Sequence, residues 1–440
     1  MDPLLVGSLG IIVLLVLLVF GVHISVALGV VGLFGCVLIV GWDSSMWLAT
    51  SVAYHLVAHV TFIILPLFIF MGVLGGASGI SRNIYMGLKA WVGRVRGGLG
   101  ITTIGSCAAF GVVTGSSLVT SAVFAKVSAP EMRLQGYGKS MAYGICASGG
   151  SIGMLIPPSG LMVIYGLLAE ESIGKLLIGG IAPGILLAVL FSIGILIISY
   201  IKPSSVAVGS VPPRATWRDR VTSIKLLWPV LVLGTIIIGG ILGGVFSPTE
   251  AAAFGAFIVL VITLTTTGSE RWKILSSGML DTISVTGMLF LIIIGAGLFA
   301  RFLMLSQITP RLLDIIIGAG LSNLTFVIVM AVIYLAMGCF LDSIAMLSIT
   351  LPLIIPIVRI MGIDGIWFAI VSVVAIEVGL ITPPLGLNVY AAKGVAEPDV
   401  SLEDIFRGSF PFFFMMLLSL VIVIAFPRFS TILPSLIIGH

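Results

Sequence analysis

Charge is what this chain has least of. Lys, Arg, Asp and Glu make up 9% of its 440 residues, against about 25% in a soluble domain. With 59% hydrophobic residues and a mean hydropathy of +1.29, a soluble globule is excluded. Strict alternation of polar and apolar residues is missing too. The apolar runs last roughly 18–25 residues, the length of helical spans, which excludes a barrel. Helices then remain the way to satisfy backbone polar groups in lipid, so the chain is expected to be an all-α polytopic membrane protein.

Histidine and cysteine are scarce, with four of each. Cys36, Cys107, Cys146 and Cys339 stand apart in apolar segments without CxxC spacing and read as small core residues. His55 and His59 have metal-ligand spacing, but "HLVAH" lacks the Glu of HExxH. No transition-metal centre is expected. Nucleotide motifs fail as well. In "GYGKS" (136–140), Arg133 stands where GxxxxGK[ST] needs its first Gly, and "GAGLFA" (295–300) lies inside a span. No nucleophile–base pair sits at membrane depth. Neither an enzyme, an organic cofactor nor a nucleic-acid partner is expected, and any pumping has to draw on an ion gradient. The start, "MDPLLVGSLG", has no basic n-region and reads as a first span rather than a signal peptide.

What is present is organisation. Apolar segments fall near 4–20, 22–41, 56–77, 99–125, 141–169, 175–200, 226–246, 249–266, 283–304, 322–358, 365–392 and 409–427. "SRNIYMGLKAWVGRVRGG", with Arg82, Lys89, Arg94 and Arg96, reads as an amphipathic helix on the cytoplasmic surface. A second basic stretch, 201–225, holds Lys202, Arg214, Arg218, Arg220 and Lys225 and reads as a linker between halves. Segment 99–125 is uncharged, yet basic residues flank both of its ends (Arg94 and Arg96; Lys126, Arg133 and Lys139). Lys and Arg mark the cytoplasmic side. Both ends then lie there, which predicts a re-entrant hairpin with its tip near Thr114–Ser117. Irregular backbone at that depth is tolerated only against protein or a watery cavity.

The second half repeats the first. "GSSLVTSAVF" (115–124) matches "GCFLDSIAML" (338–347), and "IPPSGLMV" (156–163) matches "TPPLGLNV" (382–389). These matches set Asp342 opposite Val119 and Leu385 opposite Ser159. Charges flanking the second hairpin are sparse and mixed, as an inverted repeat predicts. Inverted repeats of interrupted helices point to secondary transport.

Each Pro-Pro pair breaks a helix and frees carbonyls at one stub and amides at the other. Gly149, Gly150, Gly153, Gly379 and Gly386 allow close backbone approach. Ser116, Ser117, Thr120, Ser148, Ser151, Ser159, Ser343 and Thr382 supply hydroxyl oxygens. Such neutral oxygens suit a hard cation such as sodium. Asp342 is an intramembrane carboxylate and hence a functional candidate. Glu377 lies just before the second break, where it either ligates an ion, relays a proton or bonds helix ends. Arg301 is either a snorkelling anchor or a partner for an anionic substrate.

At these residues the chain resembles the large membrane subunit of TRAP transporters, the tripartite ATP-independent periplasmic carriers. The likeness rests on "GSSLVTSAVF…P…GYGKSMAYGICASGGSIGMLIPPS", "GCFLDSIAMLSITLPLIIP" and "EVGLITPPLGLN", and it covers essentially the whole chain. The resemblance implies scaffold helices plus an elevator-type transport domain. On that plan 1–80 are N-terminal scaffold helices. Residues 81–200 form the first repeat, with its hairpin at about 99–125 and broken helix at about 141–169. Linker and scaffold helices occupy 201–282. The inverted second repeat takes 283–427, with its hairpin at about 328–358 and broken helix at about 365–392, and 428–440 form a tail.

Sodium-driven uptake of an organic acid anion is likewise implied. A periplasmic substrate-binding protein would deliver the anion, and a small four-helix membrane subunit would assist. No such helices precede Met1, so the small subunit is expected as a separate polypeptide. The place is the bacterial inner membrane. Carried over to this chain, the sodium residues are Ser116, Ser117, Thr120, Gly149, Ser151 and Pro157 in one half. Gly338, Asp342, Ser343, Gly379 and Thr382 are their counterparts in the other. Ser117, Ser159 and Asn388, with Arg301, are the candidates for the substrate anion. Two rivals remain: a stand-alone sodium- or proton-coupled anion carrier of the same superfold, and an ion channel. The asymmetry of the halves and the lack of a tetrameric filter motif speak against the channel.

Overall fold

The computed structural model describes residues 2–206 and 216–438; Arg214 of the basic linker lies outside them. The described chain is helical throughout, apart from one isolated bridge between Tyr137 and Val206. Among the described residues, seven helices are long and apolar enough to cross a membrane, or up to eight if a bent pair counts as one span.

Helices α1 (Pro3–Val19), α2 (Ile24–Val40), α3 (Trp42–Ala58), α4 (Ile64–Ala77) and α5 (Ile80–Val92) open the chain. Composition alone had not revealed α3, whose Trp42, Asp43, Ser44, Ser45 and His55 dilute its apolar residues. The predicted amphipathic helix is α5. Next come α6 (Gly98–Thr114) and α7 (Ser117–Val127), then α8 (Ala129–Leu134). A broken helix follows as α9 (Lys139–Gly150), α10 (Ile152–Leu155) and α11 (Gly160–Ala169), bent by 43° at its break. Helices α12 (Ile173–Gly179) and α13 (Ile181–Ile201) complete this part.

Beyond the linker, α14 (Trp217–Gly234) continues through a π-turn, Thr235–Gly239, into α15 (Gly240–Leu242). Helix α16 (Pro248–Thr266) precedes α17 (Arg271–Leu305), which begins well before the apolar run at 283. Then come α18 (Ile308–Gly318), α19 (Asn323–Gly338) and α20 (Ser343–Ile360). The second broken helix is α21 (Gly365–Gly379) and α22 (Leu387–Gly394), and α23 (Leu402–Ala425) and α24 (Arg428–Ile438) close the chain.

Helix starts follow local chemistry. Capping boxes open α14 (Thr216 with Asp219), α16 (Ser247 with Glu250) and α23 (Ser401 with Asp404), each satisfying two orphan groups reciprocally. Small residues set the crossings. A Cβ on Gly32 of α2 would lie 2.6 Å from the Phe299 amide nitrogen on α17, and one on Gly295 would lie 2.7 Å from the Ser25 carbonyl. Glycine thus lets α2 and α17 touch backbone to backbone, the device membrane helices use where lipid offers no hydrophobic drive to pack. Ile12, Phe34 and Leu38 face outward more than half exposed, as side chains turned to lipid do. All four cysteines are buried.

Candidate functional site

Each half presents a helix–turn–helix whose tip touches a Pro-Pro break. In the first, α6 stops because Gly115 takes a left-handed φ of 56°, a conformation glycine adopts without a Cβ penalty. The turn falls at 115–116, inside the predicted Thr114–Ser117 tip. Ser116 caps α7, its Oγ accepting from the Val119 amide at 3.4 Å. The Gly160 amide, just past the first break, donates to the Gly115 carbonyl at 3.0 Å. A Cβ on Gly115 would collide with the Pro158 carbonyl.

The second half follows the same plan. Between α19 and α20 the turn is longer, 339–342, and Asp342 caps α20. Its Oδ1 accepts from the Ile344 and Ala345 amides at 2.9 and 3.1 Å. The Leu385 amide donates to the Cys339 carbonyl at 3.2 Å. Both Pro-Pro bonds, Pro157-Pro158 and Pro383-Pro384, are cis. Arm and broken helix cross on glycines in both halves. A Cβ on Gly111 would lie 2.7 Å from Gly153 Cα, and one on Gly338 would lie 2.8 Å from Gly379 Cα.

The caps correct the string match. Asp342 occupies the place of Ser116, not that of Val119, since each is the residue that caps the second helix of its turn. The offset that carries Pro157 to Pro383 also carries Ser116 to Asp342, Ser151 to Glu377, Arg133 to Arg359 and Glu171 to Glu397.

The two halves meet in a buried polar network. Ser117 Oγ, at the start of α7, donates to Glu377 Oε1 at 3.0 Å. Asn388 Nδ2, on α22, donates to Ser151 Oγ at 3.1 Å and to Glu377 Oε2 at 3.4 Å. All four side chains are 0% exposed. The amide nitrogen of Asn388 therefore faces Glu377. Asn388 Oδ1 is then left buried without a partner, as is Ser148 Oγ one turn before Ser151. Buried polar atoms are seldom left unpaired, and both oxygens keep the capacity to accept a bond.

Of the remaining candidates, Thr120 Oγ1 bonds the Ser116 carbonyl at 2.7 Å and Thr114 Oγ1 at 3.0 Å, closing the first tip. Gly149 lies on α9, where a Cβ would meet Cys107 Sγ at 3.0 Å. Pro157 is buried in the first break. Ser159 caps α11, accepting from the Met162 amide at 3.3 Å, and Ser343 is buried at the start of α20. Thr382 Oγ1 donates to the Val378 carbonyl at 2.7 Å. Arg301 is not brought into this cluster; it lies on an exposed side of α17. The carboxylate of Asp342 is engaged by the helix it caps.

Two ion-pair clasps frame the network, and composition did not reveal them. Arg133, past the first hairpin, pairs with Glu397 and holds Asp399 with two bonds of 2.9 and 2.8 Å. Lys139 adds a bond to the Asp399 carbonyl (3.0 Å) and an ion pair to Asp404 (2.7 Å). The Arg133 hydrogen bonds hold the Asp399 carboxyl below its ordinary range. At the other end Arg359, past the second hairpin, donates to the Ala169 carbonyl at 2.7 Å and stands 3.8 Å from Glu170. Burial pushes the Glu171 carboxyl up, and Arg359 opposes that shift. Each hairpin's foot is thus fastened to the other half's broken helix. The signal was available in sequence: Arg133 and Arg359 stand at the same offset as the prolines.

Such an assembly of neutral oxygens, freed stub carbonyls and one buried carboxylate fits a hard cation and a small anion at amide ends. Comparisons agree on the family. The family model "Tripartite ATP-independent periplasmic transporter, DctM component" matches residues 11–429. The C4-dicarboxylate TRAP transporter large permease protein DctM of Pseudomonas aeruginosa is 35% identical over 86% of this chain and 87% of its own length. The protein of the same name from Vibrio cholerae is 33% identical over 96% of each. The crystal structure of the Alcanivorax borkumensis YdaH transporter shares the fold, with a TM-score of 0.64 at 18% identity over 90% of this chain and 91% of that one. The chain belongs to the DctM family of tripartite ATP-independent periplasmic transporters, as a large membrane permease subunit.

Proposed function

We propose that this permease takes up an organic acid anion against its gradient by coupling to sodium. The anion arrives on a periplasmic binding protein, and a small four-helix membrane subunit accompanies the permease in the inner membrane. The observation that carries the reading is the buried network of Ser117, Ser151, Glu377 and Asn388, set where two helix breaks meet two hairpin tips.

One sodium ion would be held by Ser116, Ser117, Thr120, Gly149, Ser151 and Pro157, through hydroxyls and freed carbonyls. A second would be held by Gly338, Asp342, Ser343, Gly379 and Thr382. The relatives named for C4-dicarboxylates favour a small carboxylate as cargo, bound near Ser117, Ser159 and Asn388. Arg301 attracts the anion from the membrane surface rather than from inside the cluster. The halves form an inverted repeat, a reading supported by their exchanged arginine clasps. Those clasps also favour one moving body that carries both tips and both breaks past the helices around α2 and α17, as in an elevator.

The test is uptake in proteoliposomes that hold the permease with its small subunit. A panel of radiolabelled organic acids is presented with the binding protein, with and without a sodium gradient. Uptake is expected to need both. Uptake without the binding protein would identify a stand-alone carrier, currents far above carrier turnover a channel, and indifference to sodium would overturn the coupling.

A further inference from the structure

Glu377 is the one carboxylate in the buried network, and the sodium and substrate sets leave it unassigned. Its two oxygens are divided between two neighbours. Oε1 accepts from Ser117 Oγ at 3.0 Å, and Oε2 accepts from Asn388 Nδ2 at 3.4 Å. The same Nδ2 donates to Ser151 Oγ at 3.1 Å. Both hydroxyls at the far ends of these bonds, Ser117 and Ser151, belong to the first sodium set. Glu377 itself lies on α21, two residues before Gly379 of the second set. Thr382 Oγ1 holds the carbonyl of the next residue, Val378, at 2.7 Å. One fully buried side chain therefore spans the distance between the two sets.

We propose that Glu377 is a positioning residue that makes the two sodium sites cooperative. The inference rests on the sodium-coupled reading above. An ion at the first set fixes Ser117 and Ser151. Their hydrogen bonds then fix the Glu377 carboxylate and, through it, the last turn of α21, which carries Gly379 of the second set and holds Thr382 through the Val378 carbonyl. The ordering cost of the second site has then already been met, which is positive cooperativity without a large change of shape. Linkage requires the effect to run equally in the other direction. Low local dielectric strengthens each bond and makes a half-broken network costly, so the coupling is steep.

The experiment is a sodium titration of uptake by the permease with its small subunit and binding protein. A parallel titration follows sodium-dependent thermal stabilisation of the membrane complex in nanodiscs. Wild type is expected to give a sigmoidal response. Glu377→Gln replaces an accepting oxygen with a donor that faces Ser117 or Asn388. It should raise half-saturating sodium about tenfold, within the range of measured coupling energies, and bring the Hill coefficient towards one. Glu377→Asp keeps the carboxyl but withdraws it by one methylene, and should lower the Hill coefficient as well. In Glu377→Gln with Asn388→Asp the donor and acceptor trade places, and cooperativity should return in part.

A Glu377→Gln protein with wild-type half-saturation and Hill coefficient would overturn the proposal. So would a Glu377→Asp protein indistinguishable from wild type, since the reach of the side chain would then not matter. Should Glu377→Gln fail to fold, Glu377→Asp and the exchanged pair decide the matter. Wild-type uptake and stability that ignore sodium would instead refute the underlying coupling, a result separate from either variant.

Discussion

Gly111→Ala tests how tight the backbone crossings beneath the hairpin tips are. The new Cβ would lie 2.7 Å from Gly153 Cα and 3.2 Å from the Gly153 carbonyl oxygen. Carbon contacts settle near 3.5–4 Å, so α6 and α10 must part by roughly 1 Å. The obstacle is backbone, which cannot turn aside as a side chain can. Overpacking of this kind costs about 1–3 kcal/mol, while the Gly-to-Ala change in a helix returns about 0.5–1 kcal/mol. A net loss of about 1 kcal/mol, and at most about 2.5 kcal/mol, is expected. Gly105→Ala on the same helix is the control. Its Cβ meets only Leu88 Cδ1 at 3.5 Å, an ordinary contact, so it should gain about 0.5–1 kcal/mol. The assay is thermal unfolding of the permease in nanodiscs, paired with uptake. Because the Gly111 carbonyl accepts from the Gly115 amide at 2.9 Å, the displaced arm should also disturb the first tip and depress uptake. A Gly111→Ala protein as stable and active as Gly105→Ala would refute the reasoning, and with it the close crossing.

Further outcomes follow from the same geometry. Asp342→Ser copies the cap that Ser116 gives α7. It should leave stability within about 0.5 kcal/mol of wild type, where Asp342→Ala costs about 1 kcal/mol, and a sodium titration of uptake should show a several-fold weaker response for both. Ser148→Ala removes a buried hydroxyl that has no partner, so unfolding without sodium should show no loss, since no bond is broken; weaker stabilisation by added sodium would mark Ser148 as a ligand. Arg133→Gln should cost about 1 kcal/mol or less, because its partners are partly exposed. Arg133 lowers the Asp399 carboxyl, so that share of stability is present above the unfolded carboxyl value, near pH 4, and is lost as pH falls through the lower folded value. Melting temperatures of wild type and Arg133→Gln should therefore converge in acid.

The outline of the site was legible in sequence because broken helices have few chemical causes. Gly115-Ser116 and the two Pro-Pro pairs announce themselves by composition, and the turn falls where the Gly, Ser and Thr cluster placed it. Register was less legible. The match of "GSSLVTSAVF" to "GCFLDSIAML" ignored the longer second turn, and only the caps set Asp342 beside Ser116. Helix α3 was hidden by its Trp, Ser and His content, and the first turns of α17 by their polarity. The role of Glu377 was undecidable, because Ser117 lies far away in the chain and nothing local records their contact. Arg301 had no counterpart in either clasp, and the fold leaves it at an exposed surface.

The exchanged clasps bear on what one chain can encode and two copies cannot. Arg133 of the first half reaches Glu397 of the second, and Arg359 of the second reaches the Ala169 carbonyl of the first, beside Glu171. Contacts that are returned in kind define an isologous interface between identical subunits. A half-length chain pairing with its own copy would make such contacts twice by symmetry. In that homodimer the positions of Ser151 and Glu377 would have to carry the same residue. Two glutamates facing each other there would repel, and two serines would offer no carboxylate. A single chain carries no such constraint, and here one carboxylate shares a network with the Ser151 hydroxyl, a pairing that no symmetric dimer can encode.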